Sequence, residues 1–134
     1  LKKMLPPFRI GLGGPMGNRQ NYVPWISLHD LVSAMEFLLS DSTIFGVVNL
    51  TAPEPATQQE MSSALGKALG RPAFLPLPAF MVRFLFGEMG NDLLLASTRV
   101  MPRRLLEAGF EFRDASLGES MPRILATPPP AAPR

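Results

Sequence analysis

Three short segments of the form Ser/Thr-x-x-Asp/Glu fix where helices can begin, and they constrain this chain more than any other feature of it. Ser27-x-x-Asp30, Thr57-x-x-Glu60 and Ser116-x-x-Glu119 each offer a hydroxyl to the amide three residues on and a carboxylate that can reach back. After Ser27, the residues Leu28, Leu31, Val32, Met35, Leu38 and Leu39 recur at helical spacing, which predicts a helix from Leu28 to about Ser40. After Thr57, the residues Met61, Ala64, Leu65, Ala68 and Leu69 share one face. Gly70 and Pro72 then supply a left-handed stop followed by a helix-incompatible residue. Ser116 opens a last helix that should reach about Leu125.

The pieces between these helices are brief. Residues 8–10 and 22–26 have extended character, and Pro24 removes a ladder donor, so the second is an edge or irregular piece. Residues 47–50 read as a short buried strand after Gly46. Phe110-Glu-Phe112 alternates as a strand would, and 74–75 and Val100 are shorter candidates. Pro78 sits as a first helical residue before the apolar stretch 80–86, a buried helix, with further helix over 92–97. Pro102 starts a short helix ending at Gly109. The fold class is α+β, mostly helices with short strands, and strands this few need partners from elsewhere to complete a sheet. The proline-rich stretch 127–134 has nothing to bury, and we expect it to be disordered.

With 134 residues, 46% apolar and 18% charged, the chain falls among globular proteins. Thirteen Lys and Arg against eleven Asp and Glu give a net charge of +2, and no basic stripe points to nucleic acid or a membrane surface. The chain contains no cysteine, which removes disulfides and thiolate metal sites and fits a reducing, cytoplasmic setting. No apolar run approaches the ~20 residues that span a bilayer. The chain opens on Leu1 rather than Met and lacks the pattern of a signal peptide, so we expect a piece of a longer protein.

Catalytic groups are scarce. His29 is the single histidine, set in the first turn of a helix, where a surface role is the plainer reading than catalysis. No His, Asp or Glu cluster has metal-ligand spacing, and we expect no metal. Gly11-x-Gly13-Gly14-x-x-Gly17 imitates a dinucleotide fingerprint, but Pro15 interrupts it and the next helix begins only at Leu28. That fingerprint must open directly into a helix whose amides meet the pyrophosphate, so the dinucleotide reading fails here. Two readings of the loop remain. It is either a tight surface connection with Trp25 as ordinary core, or a substrate-cleft wall. In the second, Gly13 and Gly14 allow close backbone approach, Arg19 and Gln20 give polar reach, and Trp25 is an apolar platform. Spacing alone favours the first. Arg103 and Arg104 read as a solvated helix face before an anion site.

Several blocks, taken in order, resemble the epimerase-family branch of atypical short-chain dehydrogenases. They are Pro6-Pro-Phe-Arg-Ile-Gly-Leu-Gly-Gly-Pro-Met-Gly17, Trp25-Ile26 with Asp30-Leu31, Asn49-Leu-Thr-Ala-Pro-Glu-Pro55, Leu69-Gly-Arg-Pro-Ala-Phe-Leu-Pro-Leu-Pro78, Gly87-Glu88, and Arg99-Val-Met-Pro-Arg-Arg-Leu-Leu-Glu-Ala-Gly-Phe110. The resemblance runs over about residues 1 to 125. It implies the C-terminal, substrate-side lobe of an extended Rossmann-type α/β protein. Residues 1–73 would close the epimerase-like domain, 74–125 would be a C-terminal domain of unknown function, and 126–134 a disordered tail.

The resemblance further implies that NAD(P) is bound mainly by an N-terminal Rossmann half lying upstream, together with the family's catalytic Tyr and Lys. No Tyr-x-x-x-Lys occurs here, and no residue of this chain is expected to be catalytic. The family usually has His where Ser27 stands and Asp where His29 stands. Nucleotide-sugar epimerases place an Arg two residues before the aromatic at 25, where this chain has Val23, which points away from a nucleotide-sugar substrate.

The leading expectation is therefore the substrate-binding lobe of an NAD(P)-dependent oxidoreductase or epimerase. Its partners would be an unknown small molecule and the Rossmann half, with no nucleic acid and no membrane. The rival is a non-catalytic nucleotide-sensing or cell-division-associated interaction protein on the same scaffold, and a third reading is an independent small binding domain. A lobe without its other half should expose apolar surface, whereas an independent domain should not.

Overall fold

The computed structural model describes residues 8, 14–15, 18–71 and 97–126. Among them the chain order is β1 (Tyr22–Val23), α1 (Leu28–Ser40), β2 (Ala56–Thr57), α2 (Gln58–Ala68), α3 (Arg103–Glu107) and α4 (Leu117–Ala126). This is the mixed, helix-rich fold with minimal strands that the pattern predicts. The elements expected at 74–75 and 80–86, the helix over most of 92–97, and the tail 127–134 lie outside the described residues.

Helix α2 shows how local chemistry and packing agree. Its first amides are all satisfied. Gln58 N–H donates to the Asn21 carbonyl at 2.8 Å, Gln59 N–H to the Arg19 carbonyl at 3.1 Å, and Glu60 N–H to Thr57 Oγ1 at 3.2 Å. Glu60 Oε2 accepts in return from the Thr57 amide at 2.7 Å, which completes the capping box. At the other end Arg71 N–H reaches the Gly66 carbonyl (2.9 Å) and Gly70 N–H the Lys67 carbonyl (3.1 Å), with Gly70 at φ +62°. That paired pattern is a Schellman stop, and it needs a residue that tolerates the left-handed region.

Between these caps α2 buries Met61, Ala64 and Leu65, and Ala68 and Leu69 pack at the margin. Leu117 and Met121 of α4 lie against this face, and Phe8, Trp25, Ala52 and Ala56 close the core. Each large apolar side chain so enclosed contributes roughly 1.5–3 kcal/mol. Pro122 falls inside α4, where it withdraws one helical N–H; the residue four before it, Gly118, is exposed, so water can serve the freed carbonyl.

The β component is a two-stranded antiparallel pair, Tyr22 opposite Thr57 and Val23 opposite Ala56. After Val23 the chain leaves the ladder, as Pro24 requires. On the other side of β1, Tyr22 N–H donates to Ser97 Oγ at 3.0 Å, Thr98 N–H donates to the Tyr22 carbonyl at 3.3 Å, and the Arg99 guanidinium lies 5.3 Å from the Tyr22 ring centre. Helix α3 ends as α2 does, on Gly109 at φ +79°, with Phe110 N–H on the Leu105 carbonyl.

Helix α1 has the predicted span but buries an unpredicted face. Asp30 and Ala34 are its buried residues, whereas Leu28, Val32, Met35 and Leu39 are exposed. The Ser27 hydroxyl accepts from Asp30 N–H at 3.1 Å, as a cap should, but the Asp30 carboxylate does not reach back. It accepts instead from Arg113 N–H (3.1 Å) and Asp114 N–H (2.8 Å), more than eighty residues away. One turn from the helix end, Phe37 meets Phe110 edge to face with centroids 5.4 Å apart, and Phe110 meets Phe112 at 4.8 Å.

Three strand expectations are corrected. Residues 47–50 form no strand and are not buried; Val47 is 85% exposed. Residues 110–112 alternate as expected, with Glu111 outward, but they pair with no strand among the described residues. Val100 is likewise outside any ladder, and Phe8, expected extended, is helical. In the first two cases the residue types suit a strand, and among the described residues no strand pairs with them.

Candidate functional site

The residues singled out as cleft contacts do not form one cluster. Gly13 lies outside the described residues. Gly14 is buried beside the fully buried Pro15. Arg19 and Gln20 are exposed in a tight turn that Asn18 organises, its Oδ1 accepting from Gln20 N–H at 3.0 Å. Trp25 is 9% exposed and belongs to the core, its Nε1–H donating to the Glu54 carbonyl at 3.0 Å and its carbonyl accepting from Ala52 N–H at 2.7 Å.

The carbonyls of Arg19 and Asn21 are the caps of α2, so the backbone that carries Arg19 and Gln20 is anchored to a packed helix while both side chains face solvent. A rigid mount with free polar ends suits recognition of a polar ligand group, since little backbone ordering remains to be done on binding. Trp25 serves this arrangement from below, by holding 51–54 against 25.

His29 and Asp30 look at first like a base and its orienting carboxylate, with Nδ1 to Oδ1 at 3.3 Å. The surroundings do not support that role. The Asp30 carboxylate already accepts two backbone amides, the His29 side chain is half exposed, and the nearby Ser27 hydroxyl is engaged by Asp30 N–H and by Asp114. The nearby hydroxyl is thus committed elsewhere, which leaves the surface reading of His29 as the plainer one.

Sequence reasoning missed the buried polar knot around Asp114. Burial alone would push its carboxyl up. Hydrogen bonds from the Ser27 hydroxyl, Arg123 and the Ser120 hydroxyl, together with the Arg123 charge, outweigh burial and hold it below the usual carboxylate range. Arg123 engages Asp114 Oδ1 through both Nε and Nη2. Ser27 thus accepts from Asp30 and donates to Asp114, linking α1, the 113–114 segment and α4 in one network. Nothing in the local sequence marks Asp114, because its partners lie 87 and 9 residues away along the chain, at Ser27 and Arg123.

A cavity of about 410 Å³ opens elsewhere, between the turn at 54–56, α2 and the start of α4, with Glu54, Ser63, Lys67 and Ser116 on its walls. It includes none of the predicted contacts. Among the described residues, no group of three or more His, Asp or Glu is placed to hold a metal ion, and no helix is long and apolar enough to cross a membrane.

Comparison with known proteins gives a consistent picture. A domain of unknown function, DUF1731, matches residues 77–121. The bovine epimerase family protein SDR39U1 is 42% identical over 124 residues, which are 92% of this chain and 42% of that protein. The epimerase family protein MT2273 of Mycobacterium tuberculosis is 41% identical over 90% of this chain and 40% of its own length. A crystal structure of human epimerase family protein SDR39U1 (isoform 2) with NADPH superposes with a TM-score of 0.84 at 40% identity, over 92% of this chain and 42% of that one. The chain therefore spans about two-fifths of the length of the relatives it matches.

Proposed function

We propose a function on the ground that the chain belongs to the epimerase family. In this reading it supplies the substrate-side lobe of an NAD(P)-dependent oxidoreductase or epimerase. The observation that carries the reading is a pairing. The human relative was crystallised with NADPH, and the glycine-rich stretch of the present chain does not have the fingerprint that would hold a dinucleotide. The nucleotide and the hydride chemistry then belong to a Rossmann half, while this chain binds, orients and shields the substrate.

Arg19 and Gln20 are the residues proposed to meet the substrate, because their side chains are free in solvent on a backbone that is not. An arginine in that position favours a substrate with a carboxylate, phosphate or other anionic group. Trp25 supports the turn from the core. The test has two stages on the natural gene product. NADPH titration by fluorescence should show saturable binding, and turnover should be sought with anionic carbonyl compounds. Arg19→Ala and Gln20→Ala should then raise KM about tenfold or more, as expected for loss of a charge-assisted contact of ~1.4 kcal/mol, with NADPH affinity unchanged. Absence of NADPH binding would sink the reading; binding without turnover would favour the nucleotide-sensing alternative.

A further inference from the structure

Beside β1 stands a cation, Arg99, that no described carboxylate neutralises. Among the described residues the ion pairs are His29 with Asp30 and Arg123 with Asp114. The Arg99 guanidinium lies instead 5.3 Å from the centre of the Tyr22 ring, within the range of a cation–π contact. The backbone that carries it is tied to β1 twice, by Tyr22 N–H on Ser97 Oγ at 3.0 Å and by Thr98 N–H on the Tyr22 carbonyl at 3.3 Å. The residue itself is exposed. A planar guanidinium resting on a ring by its face keeps its N–H donors along the rim, open to the surroundings.

Arg19 is in the same state a short way along the chain. It is exposed and outside the ion pairs of the described residues, and its carbonyl accepts from Gln59 N–H at 3.1 Å. The turn that joins it to β1 is closed by Asn21 N–H on the Asn18 carbonyl at 3.1 Å. Three Cα steps separate Arg19 from Tyr22, so their Cα atoms lie at most ~11 Å apart. The acidic residue that follows the partner strand, Glu60, is taken up by the Thr57 amide and hydroxyl. Two unpaired guanidiniums borne by one ordered stretch of backbone are the complement of an anion.

We propose that Arg99, laid on Tyr22, is the second arm of the substrate site that Arg19 opens, and that the substrate class is the phosphate monoester. The inference rests on the function proposed above and narrows it. One carboxylate is satisfied by a single guanidinium fork. A phosphate monoester carries roughly two charges on three strong acceptor oxygens, enough for both forks. Tyr22 is then a positioning residue, because its ring sets the plane of Arg99 and with it the direction of the donors.

The test uses the natural gene product, with inorganic phosphate as the probe. Phenylglyoxal modifies exposed arginines at fixed ionic strength, and peptide mass spectrometry reads the rate at each position. With phosphate at about ten times its half-protecting concentration, Arg19 and Arg99 should both react about tenfold more slowly, as mass action requires of one shared ligand. Their half-protecting concentrations should coincide, and the exposed Arg103 of α3 should not respond. Arg99→Gln should raise the half-protecting concentration at Arg19 about tenfold, as for loss of one charge-assisted contact. Tyr22→Leu should do the same, whereas Tyr22→Phe should keep the parent's value. Protection of Arg19 with Arg99 unprotected overturns the proposal, as does equal slowing at Arg103. Protection of the pair by malonate but not by phosphate overturns the phosphate class. NADPH titration of the same samples separates this inference from the function it rests on. NADPH binding with Arg99 unprotected sinks the second arm alone, whereas both arginines protected without NADPH binding sinks the cofactor assignment and leaves the phosphate site standing.

Discussion

Helices α1 and α2 both open on a hydroxyl cap and both carry apolar residues at helical spacing, yet they are held in place by opposite means. In α2 the apolar residues Met61, Ala64 and Leu65 face the core and the carboxylate of the capping box stays at home on Thr57. In α1 the carboxylate is the anchor. Asp30 turns inward to two distant amides, Ala34 is buried one turn on, and Leu28 and Leu39 are left in water. Helical periodicity identifies a helix in either case. It says which residues share a face, and not which face has a neighbour.

The contrast between the two helices is most exposed to refutation at α2. Leu65 is fully buried, and Leu65→Ala should cost about 2–5 kcal/mol in urea unfolding, the range for truncating an enclosed leucine. A loss under about 1 kcal/mol would mean that the α2–α4 core is not the main source of stability.

On α1 the largest effect should come from a polar residue. Asp30→Ala removes the acceptor of two backbone amides and strands a buried Asp114 N–H, at a cost of about 2–4 kcal/mol. If Leu39→Ala proved the more damaging of the two in this 134-residue chain, Asp30 could not be the anchor of α1.

Acid probes the same anchoring network. The Asp114 carboxyl ionises below its ordinary value in the folded chain, so its contribution is complete above the unfolded carboxylate pKa of about 4 and drains away as pH falls through the folded value. Asp114→Asn should lower stability at neutral pH and flatten its decline on the acid side. A variant whose acid profile parallels the parent's would remove Asp114 from the explanation.

Smaller effects test the caps. Gly70→Ala places a Cβ at φ +62° with no atom within 4 Å to clash, so the backbone conformation alone should cost about 1–2 kcal/mol in thermal unfolding. Smallest of all is Leu39→Ala, within about 0.5 kcal/mol of the parent in the 134-residue chain, as for an ordinary surface position. A clearly larger loss in the natural gene product would reveal a contact from outside these residues.

The candidate site was legible only in part. The glycines at 11–17 marked a loop before Tyr22 but not the turn at 18–21, while Trp25 was open to a core reading that its burial bears out. The turn's carbonyls capping α2 could not be read, since Arg19 and Gln59 are forty residues apart and backbone acceptors leave no trace in side-chain identity. The Asp114 knot was invisible for the same reason, as each member has an unremarkable local setting. Where the sequence reading went astray, at 47–50, it recognised β-forming residues correctly, but a strand exists only if another strand donates to it.

The helix starts at Ser27 and Thr57, the glycine stops at 70 and 109, and the apolar spacing within each helix were all set by the order of residues alone. They depend on groups a few residues apart, whose energies are settled by local geometry. Three other outcomes needed the folded chain: α1 buries Asp30 rather than its leucines, Asp114 binds Ser27 and Arg123, and Val47 stands in solvent. Those outcomes turn on which surfaces meet in the folded chain, for Asp30 and Ser27 across more than eighty residues, where burial and charge pairing outweigh local preference.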